Sequence, residues 1–177
     1  MEIERKFEIK PEFKKEILDY KNSLDIFNGY PDWERKDVVF RTKTFYLKDP
    51  DSNYEMRVRQ YILKDDLINN ADTEFTIKSK SSGITRTEWE FFKLSDLMIE
   101  EFIQKSLPPV YCERFDYKGM DIHFLDNNYL YAEIEFPTEE DANKFAKPDF
   151  LGNEIKFSLN NYAYLKNSCI SRFNSII

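Results

Sequence analysis

The chain is 177 residues long, with 33% charged and 41% hydrophobic residues and a formal net charge of −7, the size and balance of one globular domain with a sizeable core. That acidity argues against a general nucleic-acid binder, which carries a basic surface, and no apolar run approaches the length that crosses a membrane. With only 4 glycines there is no glycine-rich phosphate loop of either common type, so a bound phosphate has to be gripped by side chains.

In chain order, Met1–Ile9 alternates Glu2, Glu4, Lys6 and Glu8 against Ile3, Arg5, Phe7 and Ile9, the period of a strand. Pro11 suits a first helical turn, and Phe13, Ile17, Tyr20 and Leu24 follow at helical spacing. Asn28-Gly29-Tyr30-Pro31 is expected to end that helix. Strands are expected at Val38–Leu47, Tyr54–Leu63, Glu74–Ser79, Ile84–Leu94, Val110–Tyr117, Met120–Leu125 and Leu130–Phe136, with Lys64–Thr73 as a polar loop. Ser95 is placed to cap a helix over Asp96–Ser106 whose buried side is Leu97, Phe102 and Ile103. Thr138-Glu139-Glu140-Asp141 starts a short helix in the manner of a capping box, and a last helix is expected over Asn161–Phe173. No linker or repeat divides the chain, so residues 1–177 read as a single α+β domain rich in antiparallel hairpins.

Cys112 and Cys169 are two and far apart, which implies neither a zinc motif nor a disulfide framework. The opening residues alternate in charge and show no secretory pattern, so a cytoplasmic location is expected.

The polar faces of the strands carry the functional signal. Side chains two apart point the same way, and they pair like with like: Glu2 with Glu4, Arg57 with Arg59, Lys78 with Lys80, Glu88 with Glu90 beside Arg86, and Glu133 with Glu135. Any one such strand reads as a half-buried sheet with a solvated face. Repeated on strand after strand, adjacent like charges are destabilising unless something of opposite sign is held between them. Carboxylate pairs suit a hard divalent cation, and arginine and lysine pairs suit phosphate oxygens. A metal–polyphosphate complex satisfies both sets. Closing the sheet into a barrel would turn these faces inward and the apolar faces outward, under the helices.

In these residues the chain resembles the CYTH superfamily, named for class IV adenylyl cyclases and thiamine triphosphatases. Glu2-Ile3-Glu4-Arg5-Lys6 is similar to its E-x-E-x-K signature, Tyr54–Arg59 to its paired-arginine strand, and Phe75–Lys80 to its basic strand. Gly83 followed by Arg86-Thr87-Glu88-Trp89-Glu90 resembles its R-x-E-x-E strand. Arg114, Asp121 and Glu133-Ile134-Glu135 fall where the family has a later arginine, an aspartate and a second carboxylate pair, and Pro148–Ile155 is similar to its P-x-W-L-G-x-E-V segment. These ordered blocks span nearly the whole chain, and its length and start look most like the short bacterial members, several of them inorganic triphosphatases.

The resemblance implies a closed eight-stranded antiparallel β-barrel, a tunnel with flanking helices and one site in its lumen. It implies metal ligands at Glu2, Glu4, Glu133 and Glu135, with Asp121 and Glu88 or Glu90 nearby, for Mg²⁺ or Mn²⁺. It implies phosphate grips at Lys6, Arg57, Arg59, Lys78 and Arg114, with Arg86 as a further candidate, and catalytic parts for Lys6, Glu4 and Glu135. Lys80 reads equally as a phosphate grip or a solvated strand end. Many short bacterial members have lysine where this chain has Cys112, and Lys156 is the one residue offered to restore that charge. His123, the only histidine, is expected as a structural or surface residue, with the lumen as its other placement; Trp33 and Trp89 are expected to pack.

The reaction expected is metal-dependent hydrolysis of a terminal phosphoanhydride of a small-molecule triphosphate, by in-line attack of water. No nucleic acid or membrane partner is expected, and the protein is read as a monomer or homodimer. Three other readings use the same residues: a class IV-type adenylyl cyclase, a non-catalytic polyphosphate-binding module, and an RNA 5′-triphosphatase. No purine pocket is evident for the first, the carboxylate pairs exceed what the second needs, and the acidic charge disfavours the third.

Overall fold

A computed structural model describes residues 1–27, 35–47, 54–64, 67–79, 84–92, 94–126 and 128–155. The expected turn at Asn28–Pro31, the helix over Asn161–Phe173, and Trp33, Lys80, Gly83, Lys156 and Cys169 lie outside the described residues. The elements are β1 (Glu2–Ile9), α1 (Pro11–Asn22), β2 (Asp25–Ile26), β3 (Val38–Tyr46), β4 (Tyr54–Ile62), β5 (Ile68–Ser79), β6 (Thr85–Arg86), β7 (Glu88–Phe92), α2 (Asp96–Lys105), β8 (Val110–Tyr117), β9 (Met120–Leu125), β10 (Leu130–Glu135), α3 (Glu139–Lys144) and β11 (Leu151–Glu154).

Antiparallel pairing runs β1-β10-β9-β8-β3-β4-β5-β7. The chain of β7 continues back through Thr87 into β6, which returns to β1 with Arg86 opposite Glu2 and Thr85 opposite Ile3. The Glu4 N–H then donates to the Ile84 carbonyl at 3.1 Å. A ring of eight is therefore nearly closed, with a short seam between β1 and β6, and the expected α+β barrel is the observed one. Further along the same edge of β1, β11 adds Glu154 opposite Phe7 and Leu151 opposite Ile9. Gly152 sits in that addition, where a Cβ would meet the Glu8 carbonyl oxygen at 3.3 Å.

Alternation sorts the wall into two faces. On the outside, Phe7, Ala132, Ile122 and Phe115 lie in register across four strands and pack with Ile17 of α1 and with Phe150 and Leu151. Burying a side chain of that size contributes roughly 1.5–3 kcal/mol. On the inside, Glu4, Lys6, Arg57, Arg59, Glu74, Lys78, Arg86 and Glu133 are buried, each no more than 9% exposed. A charged residue is rarely that buried without partners.

Helix caps follow the sequence. Ser95 Oγ accepts from the Met98 N–H at 3.3 Å, and Thr138 Oγ1 accepts from the Asp141 N–H at 3.1 Å. The turn between β8 and β9 is Lys118-Gly119, both with positive φ (55° and 78°), as a two-residue hairpin of that hand requires.

Four expectations are corrected. The first helix stops at Asn22, and the chain leaves it to pair Asp25–Ile26 in parallel with Val38–Val39. The polar stretch before Thr73 is not a loop: β5 starts at Ile68, because a register shift after Arg59 lets Tyr61 and Ile62 pair with Asn69 and Ile68. In α2 the buried residue is Ile99, while Leu97 is 66% exposed. Among the described residues no helix covers Trp89 and Phe91 on the outer face of β7, which are 43% and 46% exposed.

Candidate active site in the lumen

The register of β1 against β10 sets Glu4 opposite Glu135 and Lys6 opposite Glu133. Together with Glu2 from the seam end of β1, this brings carboxylate oxygens of Glu2, Glu133 and Glu135 within 4.8 Å of one another. Glu4 does not join that group. Its Oε1 lies 2.8 Å from Lys6 Nζ and pairs with Arg86 Nη2, while its Oε2 is buried without a hydrogen-bond partner among the described residues. Lys6 Nζ also reaches Glu133 Oε2 at 2.6 Å, and Arg86 Nε donates to Glu2 Oε2 at 2.7 Å.

From the carboxylate group a line of alternating charge runs along the lumen. Lys78 Nζ lies 2.9 Å from Glu2 Oε1 and 2.9 Å from Glu88 Oε1. Glu88 Oε1 is 3.6 Å from Arg57 Nη2, which is 3.4 Å from Glu74 Oε1. Glu74 Oε1 is in turn 3.6 Å from Arg59 Nη1. The Tyr61 hydroxyl donates to Glu74 Oε2 at 3.0 Å and the Thr76 hydroxyl to Oε1 at 2.6 Å. Glu74 is a lumenal residue that the sequence reading did not single out. The signal was present, because Glu74, Thr76 and Lys78 alternate on one face of β5.

A third group lies across the lumen. Arg114 pairs with Asp121, and His123 Nε2 stands 3.5 Å from Asp121 Oδ2 and 3.6 Å from Glu133 Oε2. His123 is 2% exposed and stacks on Tyr131, with ring centroids 4.6 Å apart. Its Nδ1 lies 3.7 Å from Cys112 Sγ. The histidine thus lines the interior beside Asp121.

The charges tune one another. Burial pushes the Glu2 carboxyl up, but Lys78 and Arg86 outweigh it and hold the group well below the usual carboxylate range. Burial likewise opposes ionisation of Glu74 and Asp121, and Arg59 with Arg57, and Arg114, override it. Glu4 goes the other way: burial and then the charge of Glu133 push it up to about 7. Burial, Glu133 and Glu2 also raise Glu135. Burial lowers Lys78, with Arg57 and Arg86 adding to the effect. Lys6 is buried as deeply, but Glu133 and Glu4 carry it above the usual lysine value. Burial takes His123 down to about 4 despite Asp121, so the imidazole is neutral at pH 7.

These groups surround a cavity of about 490 Å³. Of the residues the sequence nominated, Glu2, Arg57, Arg59, Lys78, Glu88, Glu90, Arg114, Asp121, Glu133 and Glu135 form its wall, joined by Glu74. Glu4, Lys6 and Arg86 are outside that wall and reach it through Glu2 and Glu133. No helix among the described residues is long and apolar enough to cross a membrane.

No family model and no curated protein matches the chain. Solved structures do. The PH1012 protein from Pyrococcus horikoshii OT3 is 19% identical, over 86% of this chain and 94% of that one, with a TM-score of 0.54. A conserved hypothetical protein from Pyrococcus furiosus is 17% identical, over 86% and 95%, with a TM-score of 0.54. The inorganic triphosphatase NE1496 aligns over 97% of this chain and 95% of its own at 18% identity, with a TM-score of 0.43, too low to support an argument. At such identities the likeness is one of fold. The chain shares the fold of the two Pyrococcus proteins, and its nearly closed antiparallel ring fits the tunnel that the CYTH resemblance implies.

Proposed function

We propose that the chain is a divalent-metal-dependent triphosphatase that cleaves the terminal phosphoanhydride of a small triphosphate in its lumen, with Mg²⁺ or Mn²⁺ as the metal. The observation that carries this reading is the meeting, in one cavity, of the Glu2–Glu133–Glu135 group with a line of cations running away from it. The three carboxylates suit a hard cation: they are an all-oxygen donor set. The pKa of Glu135 is raised by burial and by the charges of Glu133 and Glu2, a repulsion that a cation relieves. Bound there, the metal would polarise a phosphoryl oxygen and acidify a coordinated water.

The chain's own residues supply the rest. Lys78, Arg57, Arg59 and Arg114 face the cavity as donors for phosphate oxygens and neutralise charge that develops on the leaving pyrophosphate. Water attacks the terminal phosphorus in line, its bond to the bridging oxygen breaks, and pyrophosphate leaves. Glu4, behind the cavity wall, pairs with Lys6 and Arg86 and so steadies the cations that hold Glu133 and Glu2. Lys6 stays charged and holds Glu4 and Glu133 in place. In the line from Glu2 to Arg59 each cation already answers a carboxylate, so neither ligand enters alone at low cost. The carboxylates would hold a metal and the cations a phosphate, the two entering together.

The test is phosphate release from inorganic triphosphate, thiamine triphosphate and ATP, each with Mg²⁺, Mn²⁺ or a chelator. Inorganic triphosphate is expected to give orthophosphate and pyrophosphate faster than ATP gives any product, and chelation is expected to stop it. Conversion of ATP to cyclic AMP with triphosphate left intact would replace this reading by a cyclase.

A further inference from the structure

On β5, Glu74 and Lys78 share the inner face four residues apart, which places their Cα atoms about 13 Å from each other along the lumen. Lys78 stands at the carboxylate end, 2.9 Å from Glu2. Glu74 stands at the other end, its Oε1 3.4 Å from Arg57 and 3.6 Å from Arg59. It is 3% exposed and held by two neutral donors, Tyr61 and Thr76, as well as by the two guanidinium groups. A carboxylate so held occupies the place between two guanidinium forks that phosphate oxygens of a bound chain would take. It is also part of the cavity wall, so a phosphate arriving there meets it directly.

We propose that Glu74 determines specificity: it is a built-in anion that closes the Arg57–Arg59 end of the lumen and so limits the length of the polyphosphate chain held there. The inference rests on the polyphosphate reading of the lumen and assigns chain length to one residue within it. A chain whose terminal phosphate lies at the Glu2–Glu133–Glu135 group passes Lys78 and Arg57 before it reaches Glu74. There its charge competes with the carboxylate for both arginines, and like charges repel strongly in a secluded cavity. A diphosphate stops short of that point, and each added phosphate moves further into it. Glu74→Gln keeps the shape and one acceptor oxygen, enough for Tyr61 or Thr76 but not both, while it removes the charge that both forks face.

The experiment is calorimetric titration, with Mg²⁺ present, of imido-bridged diphosphate and triphosphate, which carry the charge of the natural chains and resist hydrolysis. Wild type and Glu74→Gln are compared through the ratio of the two dissociation constants. The preference for the triphosphate analogue is expected to rise about tenfold in Glu74→Gln, one lost charge acting on the longer chain alone. Equal tightening of both analogues, or no change, overturns the inference while leaving the polyphosphate reading in place. Failure of both analogues to bind wild type removes that reading and this inference with it. Should Glu74→Gln not fold, Glu74→Asp withdraws the charge by one methylene, and the same ratio is expected to rise by a smaller factor. An unchanged ratio there, or loss of folding in both variants, makes Glu74 a structural ion-pair partner only.

Discussion

The two ends of the lumen are built by the same alternation and solved differently. At the β1–β10 end, Glu2, Glu133 and Glu135 crowd together, and Glu135 is left exposed with a raised pKa. At the β4–β5 end, Arg57 and Arg59 share a face, but Glu74 already reaches both and is held firmly ionised. A like-charge pair on a strand therefore does not tell whether a ligand is awaited. The residue facing the pair decides: a third carboxylate leaves a charge to be met from outside, and a counter-charge from the next strand meets it within.

The largest effect expected is at the acidic end. Glu135→Gln removes one oxygen ligand and one charge from the group, and should lower metal-dependent triphosphate hydrolysis by on the order of 10³-fold, about 4 kcal/mol. The melting temperature should hold or rise, because a repulsion is removed. Steady-state kinetics with a metal titration, set beside a thermal melt, checks both halves. A wild-type rate with unaltered metal dependence would show that the acidic cluster is not the metal centre.

His123 stands between the two ends, against Asp121 and Glu133, and supplies the next effect. Its folded pKa of about 4, against an ordinary 6.5, means the folded protein prefers the neutral ring. The stability this contributes is fully present above pH 6.5 and is lost as pH falls toward 4, on the order of 3 kcal/mol. Glu4, raised from 4.5 to about 7, contributes the opposite slope over that window. The His123 part is therefore the difference in unfolding free energy between wild type and His123→Asn in chelator, measured from pH 7 to pH 4. A pH-independent difference would place the imidazole in a far less secluded setting than the one described.

The strand pattern was legible because alternation is a local property. Val110–Tyr117 and Met120–Leu125 coincide with β8 and β9, and the caps at Ser95 and Thr138 are where their side chains predict. What escaped depends on distant partners. β11 exists because β1 offers a free edge beyond the seam, and nothing within Leu151–Glu154 announces that. Glu74 escaped for a similar reason: it was read as the first residue of a strand, and its meaning comes from Arg57 and Arg59 on the neighbouring strand. The convergence of Glu2 with Glu133 and Glu135 was legible only through the resemblance, since ring closure joins the two ends of the sequence. His123 was expected as a structural or surface residue, with the lumen as its other placement, because one histidine on a strand has no periodic company to orient it; it is buried in the interior.

At the basic end the expected loss is smaller than at the acidic end. Arg59→Ala removes a charge-assisted donor from the cavity but leaves Arg57, Lys78 and Arg114, so kcat/KM should fall by about 2–3 kcal/mol. Arg57→Ala should cost somewhat more, since Arg57 also reaches Glu88. The comparison sharpens if either variant is combined with Glu74→Gln. Removing the internal anion beside a missing arginine should restore part of the lost stability, because a buried carboxylate that has lost a partner is costly. Additive losses in the double variant would mean that Glu74 and the arginines are not energetically paired.

The smallest effect on activity is expected at Arg5, one residue from the site and on the other face of β1. Its guanidinium forms a two-point pair with Glu154, Nε to Oε1 at 2.9 Å and Nη2 to Oε2 at 2.8 Å. Nη1 donates to the Ala142 carbonyl at 2.8 Å, and the group lies 5.0 Å from the Phe7 ring centroid. Arg5 thus clips β11 and α3 to the outside of β1 and touches nothing in the lumen. Arg5→Ala should destabilise the fold by about 1–2 kcal/mol through the lost fork and ring contact, while kcat/KM at a temperature well below the melt stays within about twofold of wild type. Thermal melts and kinetics on one preparation separate the two readouts. An activity loss as large as that of Arg59→Ala, with the melt unmoved, would mean that the alternation places Arg5 inside and the neighbouring Glu4 and Lys6 outside, and the whole assignment of the lumen would have to be turned over by one residue.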